Sequence, residues 1–229
     1  MGFAPLPPPL PAETLALRET LPVKMTPVTL AGQFVRLEPF DSTRHPALLF
    51  PLANGSPATL AARPIEAYDA DELIWRYMGG GPFATLAEFV RYCEGQQQAA
   101  DGLCLCVIDQ PSDAPIGMVN FMNNVPGHLK VELGGIWYSP LAQRTKANTE
   151  ATFLMLRHAF QLGYQRVEWK CHVLNTRSRR AALRMGFQFE GIQEAHMIMK
   201  GRRRDTAWFR ILVDEWPSVA THLQTLLDG

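Results

Sequence analysis

One loop of the sequence has the residue types needed to hold a phosphorylated ligand. It runs from Gln143 to Asn148 (QRTKAN) and leads into a helix predicted over residues 149–162. The first amides of a helix have no intrahelical partner and lie at the positive end of its dipole, so they bind phosphate groups. Arg144 and Lys146 add positive charge. We interpret this loop as a candidate pyrophosphate site, although an ordinary strand–loop–helix connection has the same pattern.

A second polar group follows the strand predicted over residues 166–173. Asn175 and Ser178 come directly after this strand, and Gly186-Phe187 follows a short helix predicted over residues 178–185. Amide and hydroxyl side chains at a strand end bond either to a ligand or to the local backbone. The simpler interpretation makes Asn175 a turn residue and Ser178 the helix cap, and both roles are compatible with ligand contact.

The motifs of several other enzyme classes are absent from the sequence. It has no G-x-S-x-G nucleophile elbow, no H-E-x-x-H zinc helix, no G-x-G-x-x-G segment after a strand and no P-loop lysine. These absences disfavour a hydrolase, a metalloprotease, a dehydrogenase and a nucleoside triphosphatase. Because the cysteines lack C-x-x-C spacing, we expect no metal site, and we expect reduced, buried thiols in a cytoplasmic protein. They are Cys93, Cys104, Cys106 and Cys171.

The composition is that of an ordinary globular protein with an uneven distribution of charge. The 229 residues are 47% hydrophobic and 19% charged, and no window is apolar enough to span a bilayer. Residues 143–210 carry 14 Lys and Arg against 5 Asp and Glu, whereas the remainder carries 8 against 17, which gives a net charge of zero. The basic part suits a compact polyanion such as a nucleotide cofactor, or it forms a solvated surface.

Hydrophobic periodicity predicts a mixed sheet with helices on both faces. Thr85 and Glu88 form a capping box at the start of one helix, and Gly134-Gly135 indicates a bulge inside a strand. The predicted strands cover residues 34–40, 103–108, 116–122, 131–138, 166–173 and a final pair joined at Lys200-Gly201-Arg202. The predicted helices cover pieces of 57–78, a segment from 86, and residues 149–162, 178–185 and 214–227. We expect an α+β fold in one domain, 26–229, preceded by an extended Pro-rich tail, 1–25.

These segments together resemble the GNAT superfamily of acetyl-CoA-dependent N-acetyltransferases. The resemblance is to the branch that acetylates the N-termini, including N-terminal alanine, of ribosomal proteins. It extends from about Val28 to Trp216, and the order and spacing of the segments carry it more than any single motif does. The matching segments are VELG at 131–134 with Pro140, QRTKANTEA at 143–151, Asn175-x-x-Ser178, RMGF at 184–187 with Glu190-Gly191, and Lys200-Gly201 with Asp205.

The resemblance implies a GNAT-like fold and a set of cofactor-binding residues. Strands 131–138 and 166–173 are expected to lie parallel and to splay apart in a V that admits the pantetheine arm of acetyl-CoA. The implied contacts are backbone of Ile136, Trp137 and Tyr138 along the arm, amides of Gln143, Arg144, Thr145, Lys146, Ala147, Asn148 and Thr149 at the pyrophosphate, and Asn175 with Ser178 at the thioester.

The loop departs from the family pattern at two positions. Lys146 and Asn148 stand where the family has glycines, which let the backbone approach phosphate closely. We expect Arg144 and Lys146 to compensate by charge-assisted contacts to phosphate oxygens.

The resemblance also implies that the chain has residues for proton transfer. Acetyl transfer requires a base for the amine, a donor for the developing oxyanion and an acid for the leaving thiolate. Glu132, on the bulged strand, is the candidate general base, and a backbone N–H near the bulge is the implied oxyanion donor. The alternative for Glu132 is a structural carboxylate that is satisfied by neighbouring strand residues or paired with Lys130. His172 and His196 are weaker candidates for the base.

The remaining catalytic assignments are less complete. Asn175 and Ser178 complete the predicted catalytic set, with Ser178 as a candidate proton relay. Phe209 stands where many relatives have an acidic tyrosine, so the general acid is unassigned. Aromatic residues are expected to wall the acceptor cleft, and these are Trp75, Tyr77, Phe83 and Trp137.

We therefore expect an N-acetyltransferase that moves the acetyl group of acetyl-CoA to a primary amine, either a protein N-terminus or a small molecule. Arg202-Arg203-Arg204 is interpreted as a solvated hairpin tip, so neither nucleic acid nor a membrane is an expected partner. The resemblance suggests a homodimer. The missing tyrosine and the altered loop keep two alternatives open: a non-catalytic acyl-CoA-binding or regulatory domain, and a scaffold that binds no cofactor.

Overall fold

A computed structural model describes residues 4–229, and one eight-stranded sheet organises them. The strands are β1 (Leu30–Ala31), β2 (Val35–Pro39), β5 (Leu103–Asp109), β6 (Ala114–Val125), β7 (Lys130–Tyr138), β8 (Arg166–His172), β9 (Gln188–Met199) and β10 (Arg202–Leu212), and β3 (Ala58–Leu60) with β4 (Arg63–Ile65) forms a separate hairpin. The helices are α1 (Ala12–Thr20), α2 (His45–Leu49), α3 (Leu86–Gln98), α4 (Lys146–Gln161), α5 (Thr176–Arg184) and α6 (Trp216–Asp228). None of these helices is long and apolar enough to cross a bilayer.

The sheet has apolar cores on both faces, as the sequence predicts. Its order is β1-β2-β5-β6-β7-β8-β10-β9, and every neighbouring pair is antiparallel except β7 with β8. Alternate residues of β5 enter different cores: Leu105 packs in the cluster that includes α4, whereas Cys106 packs in the cluster that includes Phe89 of α3. Because successive side chains of a strand point to opposite faces, these helices cover opposite sides of the sheet. The predicted mixed fold is confirmed.

The parallel pair separates along its length. Pairing of β7 with β8 runs from Lys130 with Arg166 to Leu133 with Trp169 and then stops, although both strands continue. The sheet therefore opens into the expected V beyond Leu133.

The paired glycines of β7 form the predicted bulge at this opening. On the other side of β7, Met118 pairs with Trp137 and Asn120 with Gly134, so two residues of β7 oppose one residue of β6. One of the two is Gly135, whose φ of +58° is left-handed. A Cβ at Gly135 would collide with the Asn120 amide, so both the backbone angle and the close approach require glycine.

The N-terminal segment differs from the predicted extended tail over 1–25. Residues 12–20 form α1, and this part of the prediction is wrong, because the proline-free AETLALRET consists largely of good helix formers. Arg18 Nε donates to Gly127 O at 2.8 Å, and Asn124 Nδ2 donates to Pro22 O and Val23 O. The segment is thus fixed to the domain by hydrogen bonds. Residues 1–3 of the predicted tail lie outside the described residues.

Residues 57–78 also differ from the prediction of helical pieces. They contain the β3–β4 hairpin and a short π-helical turn, Asp71–Trp75. Ala61 and Ala62 both have positive φ, which is the backbone of a tight type I′ hairpin turn. Two alanines lack the Asn-Gly signature of such turns, so no local sequence signal predicts this hairpin.

The two helices next to the V begin earlier than predicted. Helix α4 begins at Lys146 rather than Thr149, because Thr145 is its N-cap and accepts a hydrogen bond from Ala147 N. Helix α5 begins at Thr176, and Asn175 rather than Ser178 is its N-cap. The capping box of Thr85 with Glu88 is confirmed.

The cysteines are free and buried, as expected. Cys93, Cys104 and Cys106 belong to the apolar cluster of α3, and burial raises the pKa of each of these thiols. Their thiolate forms are therefore disfavoured throughout the neutral pH range.

Candidate active site

The opening between β7 and β8 forms a cleft of about 1180 Å³. The separated ends of both strands, the start of α4 and one face of α5 line it. The segment 72–79 and the tip of the β9–β10 hairpin close its other side, where Lys200 Nζ donates to Trp75 O at 2.7 Å. A cleft of this kind, deep and bounded by strand ends and helix starts, suits an elongated ligand.

Most of the sequence-predicted cofactor residues lie in the wall of this cleft. They are Ile136, Trp137, Tyr138, Gln143, Arg144, Thr145, Asn148, Asn175 and Ser178. Lys146, Ala147 and Thr149 are not among the lining residues. Thr149 Oγ1 accepts from Arg184 at 3.0 Å, and Ala147 is buried in the sheet's core.

The compensating role expected of Lys146 is not what the structure shows. Its Nζ donates to Leu227 O at 2.6 Å and lies over the Phe34 ring, 5.1 Å from the centroid. The ammonium group thereby satisfies a carbonyl near the end of α6. The positive charge at this end of the cleft must come from other residues.

Three arginines of α5 add positive charge to the cleft wall, and the sequence analysis did not single them out. Arg177, Arg180 and Arg184 line the cleft together with Arg144. Their spacing of three and four residues places them on one face of a helix. That spacing, inside the basic segment 143–210, is the signal that would have found them. Arg177 donates to Glu72 O at 2.8 Å, on the other side of the cleft, whereas Arg184 donates to Thr149 in the first turn of α4. The guanidinium groups suited to coenzyme phosphates near the start of α4 are therefore those of Arg144, Arg180 and Arg184.

Three polar atoms of residues in the cleft wall have no hydrogen-bond partner within residues 4–229. They are Trp137 Nε1, Tyr138 OH and Asn148 Oδ1. Buried polar groups are normally paired. Because these atoms are shielded from solvent behind the surface of the wall, a ligand in the cleft would bond them only after a movement of the side chains.

Glu132 lies in the cleft wall at the point where β7 and β8 separate. It is 4% exposed, and its Oε2 accepts from Asn123 Nδ2 at 2.6 Å and lies 2.6 Å from Lys170 Nζ. Burial raises the pKa of this carboxyl, while Lys170 and Asn123 oppose the rise. Lys130 is not its partner, because Lys130 pairs with Glu168 instead. A buried carboxylate with a raised pKa is suited to accept a proton.

Asn175 and Ser178 have structural bonds as well as places in the wall. Asn175 Oδ1 accepts from Ser178 N at 3.1 Å, and Ser178 Oγ accepts from Trp169 Nε1 at 3.0 Å. The Ser178 hydroxyl proton remains available to a ligand in the cleft.

The histidines considered as bases lie outside the cleft wall. His172 Nδ1 accepts from Leu174 N and its ring packs on Tyr77, and His196 bonds Thr206 Oγ1. Burial lowers the pKa of both imidazoles.

The predicted aromatic wall is only half correct. Tyr77 and Trp137 line the cleft, but Trp75 is fully buried behind it and stacks edge-to-face on Phe83. Large rings lose more free energy when exposed than smaller side chains do, so they form the support of the wall rather than its surface.

The three arginines of the hairpin are not all solvated. Arg202 and Arg203 are exposed, and Arg203 pairs with Asp205. Arg204 is 9% exposed and lies in the cleft wall, so the interpretation of a solvated tip is wrong for this residue. Strand alternation turns Arg204 away from the face on which Arg203 lies.

Comparison with known proteins agrees with this geometry. The family model of the GNAT acetyltransferase domain matches residues 57–188. A GCN5-related N-acetyltransferase from Brucella melitensis is 38% identical, with a TM-score of 0.78 over 86% of this chain and 84% of that one. A GNAT-family acetyltransferase from Chromobacterium violaceum is 33% identical, with a TM-score of 0.79 over 95% and 99%. No curated protein matches significantly. The chain therefore belongs to the GNAT family and is an acetyl-CoA-dependent N-acetyltransferase.

A ribosomal-protein acetyltransferase is a more distant structural neighbour of this chain. The ribosomal L7/L12 alpha-N-protein acetyltransferase RimL is 18% identical, with a TM-score of 0.64 over 81% of this chain and 94% of that one. At this identity the likeness concerns the fold alone. The acceptor must be argued from the cleft itself.

Replacement of Arg180 by Gln is expected to raise the Kd for acetyl-CoA about tenfold. The expected loss is that of one partly exposed charge-assisted contact, about 1.4 kcal/mol. Arg179 on the same helix is the matched control, because it does not line the cleft and bonds Val173 O. Isothermal titration of both variants with acetyl-CoA measures the difference. Equal affinity in the two variants would mean that the α5 arginines do not hold the phosphates.

Proposed function

We propose that the chain acetylates a primary amine, on a protein N-terminus or a small molecule, by direct attack in a ternary complex with Glu132 as general base. The position of Glu132 carries the proposal: a buried carboxylate with a raised pKa stands where the sheet opens and the bulge begins. The proposed site residues remain those that line the cleft, with the α5 arginines added.

The proposed step balances within this site. The amine nitrogen forms a bond to the acetyl carbon as the bond from that carbon to sulfur breaks. The proton released by the amine passes to Glu132, and the sulfur leaves as a thiolate that takes up a proton from solvent water. A backbone N–H at the bulge near Gly135 would stabilise charge developing on the acetyl oxygen, because the left-handed turn there takes amides out of the β6 pairing.

Lys170 is proposed to position the Glu132 carboxylate. Its ammonium lies 2.6 Å from that carboxylate and also 4.4 Å from the centroid of the Trp208 ring. The ring and the carboxylate together fix the ammonium group. Asn123 holds the same oxygen from β6, so the base is oriented from two strands.

Initial-rate kinetics with two varied substrates tests the proposed mechanism. The acceptors are a peptide amide with N-terminal alanine and a small alkylamine, and the readouts are coenzyme A thiol release and the mass of the acceptor. A ternary complex gives intersecting reciprocal plots. Parallel plots would contradict direct attack and would point to acetylation of a nucleophile such as the cleft-lining Cys171.

Replacement of Lys170 by Met is expected to shift the acidic limb of the kcat/KM profile to higher pH. The charge of Lys170 lowers the Glu132 pKa, so its removal raises that pKa further, and a higher pH is then needed to deprotonate the base. Lys130→Met is the control, because Lys130 pairs with Glu168 and does not line the cleft. An unchanged limb in Lys170→Met would argue that Glu132 is not the base that titrates.

A further inference from the structure

Arg204 is a buried cation without an anionic partner. It is 9% exposed, and its guanidinium donates from Nε to Thr206 Oγ1 at 3.2 Å and from Nη1 to Met199 Sδ at 3.6 Å. No carboxylate among residues 4–229 lies within 4.0 Å of it. Its neighbour Asp205 bonds Ala195 N and Arg203 instead. A buried charge of this kind is costly unless a partner is supplied, and Nη2 still has both of its donors to offer.

The surroundings of Arg204 are positively charged. Lys170 also lies in the cleft wall, and its ammonium group is already paired with the carboxylate of Glu132. Two cations therefore face one carboxylate at this end of the cleft. His172 and His196 add no negative charge, and the charge of Arg204 is among the causes that lower the pKa of both. This end of the cleft attracts an anion.

Arg204 lies at the β9–β10 side of the cleft. It is on β10, beyond β8, and shares its wall with Met197 and Met199 of β9. Arg184 is the last residue of α5 and donates to Thr149 in the first turn of α4, and Arg144 lies just before α4. The guanidinium groups suited to the coenzyme phosphates therefore lie near the start of α4, which follows β7, whereas Arg204 lies beyond β8. We therefore expect the partner of Arg204 on the acceptor.

We propose that Arg204 is a specificity-determining residue that binds a carboxylate of the acceptor, so that preferred acceptors are amines that also carry a carboxylate. This inference rests on the proposed acetylation of an amine at Glu132. A carboxylate fits better than a phosphate, because a planar guanidinium matches two carboxylate oxygens and one unpaired cation balances one negative charge.

Matched acceptors that differ in one carboxylate test the inference. The pairs are 4-aminobutanoate with butylamine, and the peptide Ala-Asp with Ala-Asn, both with amidated C-termini. For the unmodified enzyme, kcat/KM is expected to be about tenfold higher for the carboxylate member of at least one pair. In Arg204→Gln this ratio is expected to fall to about one, with turnover of the neutral member retained. Arg204→Lys is expected to keep part of the preference.

Thermal unfolding separates this role from a structural one. Removal of an unpaired buried charge is expected to leave the Tm of Arg204→Gln unchanged or higher. A lower Tm, together with equal loss of activity on both members of each pair, would overturn the inference in favour of a structural role. Acetylation of both members with the same ratio in enzyme and variant would overturn it while leaving the proposed function intact. Failure to acetylate any of the four amines would overturn both.

Discussion

Replacement of Glu132 by Gln is expected to lower kcat by about 10²- to 10⁴-fold, the usual contribution of a general base. The affinity for acetyl-CoA is expected to stay the same, because Glu132 lies where the strands separate, whereas the arginines proposed to hold the coenzyme phosphates lie on α5 and before α4. Glutamine keeps the shape of the side chain and can still bond Asn123, but it cannot take a proton. Thiol release measures kcat, and titration with acetyl-CoA measures Kd.

Glu168→Gln provides the matched control for this prediction. Glu168 is also 4% exposed, it pairs with Lys130 and Arg166, and it does not line the cleft. It is therefore a buried, ion-paired carboxylate without access to the substrate. Comparable losses of kcat in the two variants would show that Glu132 acts through the structure of the sheet rather than as the base.

Replacement of Glu150 by Gln is expected to lower the free energy of unfolding by about 3 kcal/mol. The Glu150 carboxylate, on α4, accepts three backbone hydrogen bonds: from Gln33 N at 2.7 Å, Phe34 N at 2.6 Å and Val35 N at 2.7 Å. Phe34 N and Val35 N share Oε2, so a glutamine oxygen in that place keeps both of these bonds without their charge assistance. Gln33 N, in contrast, loses its partner and faces an amide NH₂ group. The lost bond costs about 1–3 kcal/mol, and the weaker pair adds to it. The Tm is expected to fall by about 6–12 °C for a chain of this size.

Glu88→Gln is the control for this stability change. Its carboxylate also accepts backbone bonds, from Ala84 N at 2.9 Å and Thr85 N at 3.2 Å, but at an exposed helix start. Water replaces a lost partner there, so a loss of about 1 kcal/mol or less is expected. Both variants are compared by thermal and urea unfolding. Similar losses at the two positions would contradict the argument from burial.

The sequence predicted those elements that are determined by residues close together in the chain. The capping box at Thr85, the β5–β6 hairpin and the glycine bulge of β7 each depend on residues within a few positions of one another. Positive φ at two alanines in the β3–β4 turn carries no such signal, because alanine is common in every kind of element.

The site was predicted in outline because the family resemblance places it between two named strands. Partners across the sheet could not be predicted, since they depend on register. Glu132 and Lys170 are 38 residues apart in sequence, but the parallel pairing of β7 with β8 brings them together. Burial of Arg204 could not be predicted either, because the sequence shows only three adjacent arginines at a turn, whereas the pairing of β10 with β8 and β9 places Arg204 in the cleft wall.

The three buried thiols of the α3 cluster can report local opening of the N-terminal half of the sheet. Cys93, Cys104 and Cys106 are each 3% exposed or less, and their raised pKa values suppress reaction in the closed fold. Alkylation therefore requires local opening. Its rate under native conditions gives the frequency of opening at α3, which carries Cys93, and at β5, which carries Cys104 and Cys106. Labelling with a small alkylating reagent, read by mass spectrometry, would rank α3 and β5 by their opening rates without denaturant.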